Sequence, residues 1–517
     1  MIFIGAELSD PHAHFVTNII ASIGTEEDLI IDLLNINDSE MIFAMITSHL
    51  HNQDEQFVIY NAYTDEDFFI TFKEQFPKLR LITVFSDDEW RHKNYDRYLA
   101  LYSDIFTIAV KNNLQSYKDY GLSPFYMKWA CNPDMFYPLP EQNKDIDVSF
   151  IGAAYGQRIL YIRFLIKSGI KVSVFGRGWD RYADIRPYWG GYLIHKEMIM
   201  VIARSKINLN FLWTSAEKER CTIKGRTLEL AASQAFQLSN DTDEFINYGF
   251  INGENIALFE QQQSMVDKIR YYLQHSNERK VIALHAYEHV LKHHTWKQRF
   301  HEVFEYLENN ERAFTPIHQK SKILVIVKRG IQHQINTKDD KLNISIIDSA
   351  SDWKKKVAAM DGVIYLDYDS TLDNVGLYMM VFGLLADKSD MVVANFYVGS
   401  VNKPYWIRVI DRIVEQKRSL LSMIPLACQM FSGPHLAKHG MGGALKLSQM
   451  RISYIEYPSF WIKLPYLKAR KLRLYFACHG DARNKLKEYF QKNNFGLALS
   501  LIFDKIWQNR LQRKLKY

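Results

Sequence analysis

The chain has 517 residues, 47% of them hydrophobic and 24% charged, with a formal net charge of +6. That length suits about two to four domains with cores of their own, and the composition excludes a long disordered chain. The mild charge gives no footing for nucleic acid. The four cysteines, Cys131, Cys221, Cys428 and Cys478, include no CxxC pair, which excludes a disulfide framework and a cysteine zinc site.

Residues 1–140 alternate short apolar runs with segments of helical period. The runs are Ile2–Gly5, Leu29–Leu34, Phe57–Tyr60, Leu81–Phe85 and Ile105–Ala109. Between them lie the helical patterns Phe15–Ile23, Asp65–Gln75 and Asn94–Tyr102. This alternation predicts a Rossmann-like, doubly wound domain. Its opening, MIFIGAELSDPHAHF, has neither the basic start nor the long apolar core of a signal peptide, so a cytoplasmic location is expected. His12 and His14 follow the first strand, where an imidazole near neutrality suits a general base. Asp87 and Asp88 end the fourth run and either cap a helix or face a ligand. The Pro-rich segment Cys131–Pro138 reads as a linker.

Residues 145–312 predict a second Rossmann-like domain, closed by a long helical stretch from Met265 to Asn309. Three of its strand-like runs end in small or Gly-containing turns: DVSFIGAAYGQR, VSVFGRGWD and the segment leading into KGRTLELAAS. Parallel α/β sheets present helix N-termini to phosphates at such turns. Lys224 and Arg226 at one helix start suit a diphosphate, and Glu229 suits the paired hydroxyls of a ribose. Gly176 and Arg177 lie in the second turn, either as ligand contacts or as an ordinary turn. Two lobes facing across a cleft make a bilobal enzyme.

A third α/β block is expected over 320–460, starting at Ile323–Val327 and continuing through Ile344–Ile347 and Val363–Leu366. Asp367 and Asp369 follow the last of these on one face, a pattern that suits Mn or Mg. The longest apolar run, Val375–Ala386, is short of the about 20 residues that span a bilayer. Residues 461–517 form a basic helical tail; positions 463–517 carry 14 Lys and Arg against 3 Asp and Glu, with Trp507, Leu511 and Leu515 interleaved. Such a tail is either a solvated face or a peripheral membrane contact.

Over roughly residues 80–310 the chain resembles the glycosyltransferase group 1 superfamily of GT-B fold, and within it the spore-maturation, CgeB-like branch. The matching pieces are VFSDDEW (84–90), YGLSPFYMKWACNPDMFYP (120–138), DVSFIGAAYGQR (147–158), VFGRGW (174–179), KGRTLE (224–229), SNDTDE (239–244) and HAYEHVLKHHTWKQRF (285–300). The resemblance implies that Gly152 and Arg158 flank a diphosphate, that Lys224 and Arg226 hold it, that Glu229 meets the ribose and that Thr242 lines the same pocket. Many retaining members carry a glutamate eight positions before the ribose glutamate; here that position is Cys221. The third block faintly resembles a GT-A family 2 glycosyltransferase, active or degenerate, through MDGVIYLDYDSTLDN (360–374) and SDMVVANF (389–396).

The expectation is a cytosolic glycosyltransferase. It would move sugar from an NDP-sugar, UDP- or GDP-linked, to a hydroxyl of a glycan, a protein or a lipid-linked saccharide. The resemblance to GT-B enzymes implies that this core requires no metal cofactor. Two alternatives stand beside it: a bifunctional enzyme with a metal site at Asp367 and Asp369, and a non-catalytic scaffold or sugar-recognition subunit.

Overall fold

The computed structural model describes residues 1–5, 15–33, 35–36, 39–50, 57–61, 72, 75–76, 78–86, 88, 92, 96–140, 143–213, 221–309, 321–330, 332–335, 342–348, 355–366, 370–372, 374–389, 391–400, 403–407, 429–432 and 452–462. It divides into two compact units. The first comprises residues 1–90, 103–114 and 124–313, and the second residues 91–102, 115–123 and 314–517.

The first unit holds two parallel sheets. In the first, β1 (Ile2–Gly5), β2 (Leu29–Asp32), β3 (Phe57–Asn61), β4 (Arg80–Val84), β5 (Ile105–Ile108) and β6 (Phe125–Tyr126) lie in the order β2-β1-β3-β4-β5-β6. Each neighbouring pair is parallel, for example Ile2 with Val58 and Ile82 with Ile105. The strands read as nearly unbroken apolar runs because helices cover both faces of a parallel sheet. Phe3, Ile59, Ile82 and Ile105 pack with Ile19 of helix α1 (Phe15–Ile23) in one buried cluster.

The second sheet contains β7 (Ile146–Ile151), β8 (Val172–Phe175), β9 (Ser205–Asn210), β10 (Gln237–Asn240) and β11 (Ala257–Phe259), in the order β11-β10-β9-β7-β8. All four pairings are again parallel. Its core joins Val148, Phe150, Val174, Ile207, Leu238 and Phe259 to the fully buried Trp179. Both lobes are Rossmann-like.

The expected long helical stretch is three helices: α8 (Gln262–Gln274), α9 (Ser276–His293) and α10 (Trp296–Asn309). His275 and His294 break the path, with non-helical backbones at ψ 67° and 45°. The second break redirects the chain to the first lobe. Trp296, Phe300, Val303 and Leu307 of α10 pack into the cluster that holds Phe3 and Ile82.

The chain crosses between lobes twice, and the two crossings are bonded to each other. Cys131 N–H donates to His294 O at 2.9 Å, and Trp296 N–H donates to Cys131 O at 3.0 Å. His294 sits beneath them. Arg299 Nη2, which can only donate, lies 2.6 Å from His294 Nδ1, so Nδ1 accepts and Nε2 carries the proton. Nε2 then donates to Tyr248 O at 2.8 Å. Burial, with the nearby Arg299 charge, pushes the His294 pKa down to about 3.

The second unit is built on a sheet in the order β13-β16-β20-β17-β19-β15-β12-β14, with β18 paired to β17. Its strands are β12 (Ser321–Val327), β13 (His333–Ile335), β14 (Leu342–Asp348), β15 (Gly362–Leu366), β16 (Ser370–Leu372), β17 (Met391–Ser400), β18 (Lys403–Ile407), β19 (Gln429–Ser432) and β20 (Ile452–Ile462). Parallel and antiparallel pairs mix, so this sheet differs from the other two. The long apolar run forms helix α11 (Asn374–Ala386), with Leu377, Met380, Val381 and Leu384 buried. No helix among the described residues is long and apolar enough to cross a membrane. In this unit Arg97 is buried and makes a two-pronged pair with Asp387, at 2.6 and 2.7 Å. The rings of Tyr98 and Tyr120 lie 4.8 and 4.5 Å from its guanidinium carbon.

Two outcomes follow. Removing one partner of a buried pair strands the other charge, so Asp387→Asn should cost about 3–5 kcal/mol in chemical denaturation. The double change Arg97→Met, Asp387→Leu should cost clearly less. The second concerns acid. An unfolded His294 takes up its proton near 6.5, whereas the folded one resists until about 3. The unfolded state therefore binds more protons between these values, and stability falls as pH drops through that window. Calorimetric unfolding from pH 7 to pH 4 should show a steeper loss for the native chain than for His294→Gln.

Candidate active site

Open parallel sheets bind ligands beyond the carboxyl ends of their strands, where the strand order reverses. In the second lobe that point lies between β7 and β9, which are hydrogen-bonded neighbours while the following strands run outward on opposite sides. Arg158, in the first turn of helix α4 (Gln157–Lys167), spans it. Its Nη1 donates to Ala153 O (3.3 Å) after β7, and its Nη2 donates to Phe211 O (2.9 Å) after β9. The Tyr155 ring lies 4.0 Å from the guanidinium carbon. All its hydrogen-bond acceptors among the described residues are carbonyls, none a carboxylate, and its buried Nε has no partner there. Burial first, and then the neighbouring charge of Arg226, lower its pKa.

Arg226 comes from helix α6 (Gly225–Ala232), which follows β9, and Lys224 stands at that helix's N-cap with extended backbone. Free N–H groups and the positive end of the helix dipole therefore lie at this edge of the sheet. A buried polar layer fixes the helix beneath: Asn210 Nδ2 donates to Thr227 Oγ1 at 2.8 Å, and Gln237 Nε2 donates to Thr227 O at 3.1 Å. Arg226 Nη1 lies 3.0 Å from Glu229 Oε2, one turn on. Glu229 is 5% exposed, and its Oε1 lies against Gly225, only 3.2 Å from where a Cβ would stand. The ring of Trp129, on the crossing segment, lies 3.6 Å from the same point.

Gly152 and Gly176 interlock the first two turns. Gly176 has φ +119°, and a Cβ there would stand 2.6 Å from Gly152 O, so only glycine fits. Ala154 N–H donates to Arg177 O at 2.8 Å, and Trp179 Nε1 donates to Gly152 O at 2.8 Å. These glycines shape the floor on which Arg158 rests, while the Arg177 side chain is exposed. Thr242 follows β10 at the same edge, and its hydroxyl accepts from Glu244 N–H at 3.5 Å, as a turn residue. The structure thus brings Gly152, Arg158, Gly176, Lys224, Arg226, Glu229 and Thr242 to one edge of one sheet.

Cys221 is half-buried at the position where many retaining members of the superfamily carry a glutamate. Asn240 Nδ2 donates to its Sγ at 3.2 Å, and burial raises its pKa. Glu244 Oε2 accepts from Ile223 N–H at 2.7 Å, which ties helix α7 (Glu244–Tyr248) to the segment entering α6. In the first lobe Asp88 is fully buried rather than open to a ligand. It accepts from Ala109 N–H (3.1 Å) and from Asn113 Nδ2 (3.1 Å), so it fastens the segment after β5 to the end of β4. His12, His14, Asp367, Asp369 and residues 463–517 of the basic tail lie outside the described residues, while 461 and 462 end strand β20. Among the described residues no cluster of three His, Cys, Asp or Glu is placed to hold a metal. Sequence reasoning gave no role to Tyr155 and Trp129, although both lie in the matching pieces 147–158 and 120–138; their ring contacts shape the site.

Residues 158–305 match the model of a family described as glycosyl transferase-like. No curated protein matches the chain. Solved structures similar to it include sucrose-phosphate synthase from Thermosynechococcus elongatus, at 9% identity and TM-score 0.42, covering 60% of this chain and 98% of that one. Another is Anabaena HepE in complex with UDP-glucose, at 10% identity and TM-score 0.44, covering 60% and 100%. A third is the pneumococcal O-GlcNAc transferase GtfA in complex with UDP and GlcNAc, at 11% identity and TM-score 0.36, covering 52% and 59%. Likeness of this degree is too slight to assign a substrate. The matched segment carries Arg158, Lys224, Arg226 and Glu229 on a Rossmann-like sheet, and it is a glycosyl transferase-like domain.

Proposed function

We propose that the chain transfers a sugar from an NDP-sugar, UDP- or GDP-linked, to a hydroxyl of a glycan, a protein or a lipid-linked saccharide. One observation carries this reading: two guanidiniums, Arg158 and Arg226, stand within electrostatic reach at the switch point, with one carboxylate, Glu229, beside them. An incoming diphosphate relieves that like-charge repulsion and takes the free N–H groups at the start of α6.

Transfer proceeds by stabilising the departing diphosphate. Arg158, Arg226 and Lys224 meet the charge that builds on its oxygens as the glycosidic bond breaks. Glu229 aims Arg226 through their ion pair and lies close enough to the helix start to meet the donor's ribose. On the acceptor side, His12 and His14 lie in the sequence between β1 and α1, and in this reading one of them is the base that takes the hydroxyl proton. Cys221, held by Asn240 where a carboxylate would be needed, favours a second reading in which the site binds nucleotide-sugar without turnover.

Charge-assisted contacts to phosphate each contribute about 1.5–3 kcal/mol, so Arg226→Ala should weaken binding of UDP or GDP about tenfold or more by calorimetry. The fold should persist, since this side chain is part-exposed. Unchanged affinity in the folded variant would remove the diphosphate assignment. Release of free NDP from a panel of NDP-sugars by the native chain separates the two readings: turnover supports transfer, and binding without release supports recognition alone. Glu229→Gln keeps the shape, so nucleoside diphosphate should lose affinity while inorganic diphosphate loses less. Equal losses would place Glu229 on Arg226 only.

A further inference from the structure

Asn240 is the last residue of β10, and it is buried. The backbone pairing of β9 with β10 stops one residue earlier, at Asn210 and Ser239. Beyond that point the Asn240 side chain takes over. Leu212 N–H donates to its Oδ1 at 2.8 Å, as it would to a strand carbonyl. A backbone N–H can only donate, so Oδ1 faces Leu212 and the amide nitrogen is left for another partner. That nitrogen donates to Cys221 Sγ at 3.2 Å. One amide therefore holds both arms of the chain that leaves β9 and returns to α6. Trp213 and Cys221 pair as an antiparallel bridge between the arms, and Thr222 N–H donates to Leu212 O at 3.2 Å.

Each arm serves a different cation. The outgoing arm holds Arg158: Phe211 O and Trp213 O accept from its Nη2 at 2.9 and 3.5 Å. The Tyr155 hydroxyl, whose ring lies against the same guanidinium, donates to Trp213 O at 3.2 Å. The returning arm runs through Ile223 into Lys224 and Arg226. Asn240 thus ties the carbonyls that aim one guanidinium to the segment that delivers the other. A buried amide bonded at both ends makes a rigid tie.

We infer that Asn240 is a positioning residue of the donor site: it sets the spacing of Arg158 from Lys224 and Arg226 so that all three meet one diphosphate. It acts through Leu212 and Cys221 rather than on the ligand. The inference rests on the donor reading above, in which the second lobe takes the NDP-sugar.

The test uses the full chain and calorimetric titration of UDP against UMP, and of GDP against GMP. The ratio of the two affinities isolates the second phosphate, because base and ribose are common to both. A residue that only supports the fold lowers the melting temperature and leaves that ratio alone in the folded protein. Asn240→Ala should lower the ratio by about threefold or more, the scale of one lost hydrogen bond. Asn208→Ala is the comparison. Asn208 is also buried, on β9, and its bonds run to Ser149, Ile202 and Phe236 instead. This variant should lose melting temperature and keep the native ratio. If Asn240→Ala does not fold, the pair Cys221→Ala and Cys221→Ser decides. Serine keeps an acceptor for Asn240 Nδ2 and should keep the ratio, whereas alanine removes it and should lower the ratio. An unchanged ratio in folded Asn240→Ala, an equal fall in Asn208→Ala, or equal ratios in the two Cys221 variants overturns the inference. A native chain that binds neither UDP nor GDP, or binds neither more tightly than its monophosphate, overturns the donor reading itself, and the inference falls with it.

Discussion

The structure turns on two like charges brought together where a sheet reverses its strand order. Arg158 arrives from the helix after β7 and Arg226 from the helix after β9, so the backbone path of the second lobe makes them neighbours. Burial already works against the charged form of Arg158, and Arg226 works in the same direction. Among the described residues only Glu229 offers Arg226 a carboxylate, and none is offered to Arg158. Carbonyls after β7 and β9 and the ring of Tyr155 hold the guanidinium in place, but they do not neutralise it. An anion of more than one charge completes such a site, and the helix N-terminus beside it favours the same occupant.

The rest of the first unit keeps that site against the first lobe. Cys131 and Thr295 lie on the two crossings of the chain, which pair as a short parallel bridge. Tyr248 ties them to the second lobe: its hydroxyl accepts from Trp129 N–H at 2.8 Å and its carbonyl from His294. Trp129 then spans both cores, packing against residues of either lobe and lying over Gly225 at the start of α6.

Much of this was legible in the sequence. The strands at Ile2–Gly5 and Ile105–Ile108 and the helix at Phe15–Ile23 follow directly from apolar runs and helical period, because a parallel sheet buried on both faces leaves so plain a mark. The glycine turns and the Lys224 and Arg226 helix start were legible for the same reason, since local backbone demands select their residues. The breaks at His275 and His294 were not, because histidine carries no turn signal; the His294 ring is held by the carbonyl of Tyr248, far away in sequence, and by Arg299. The bonds of Asp88 to Ala109 and Asn113, one strand further on, had no mark in the sequence either, since they join residues 21 and 25 positions apart.

The most direct measurement of the central claim compares phosphate number at the site. Calorimetric titration of UMP and UDP, and of GMP and GDP, into the native chain isolates the second phosphate while base and ribose stay fixed. If Arg158 and Arg226 together receive a diphosphate, at least one nucleoside diphosphate binds about tenfold or more tightly than its monophosphate, and the gap narrows with added salt. Equal affinities for mono- and diphosphate in both pairs would contradict the account, because the second guanidinium would then have no phosphate to meet.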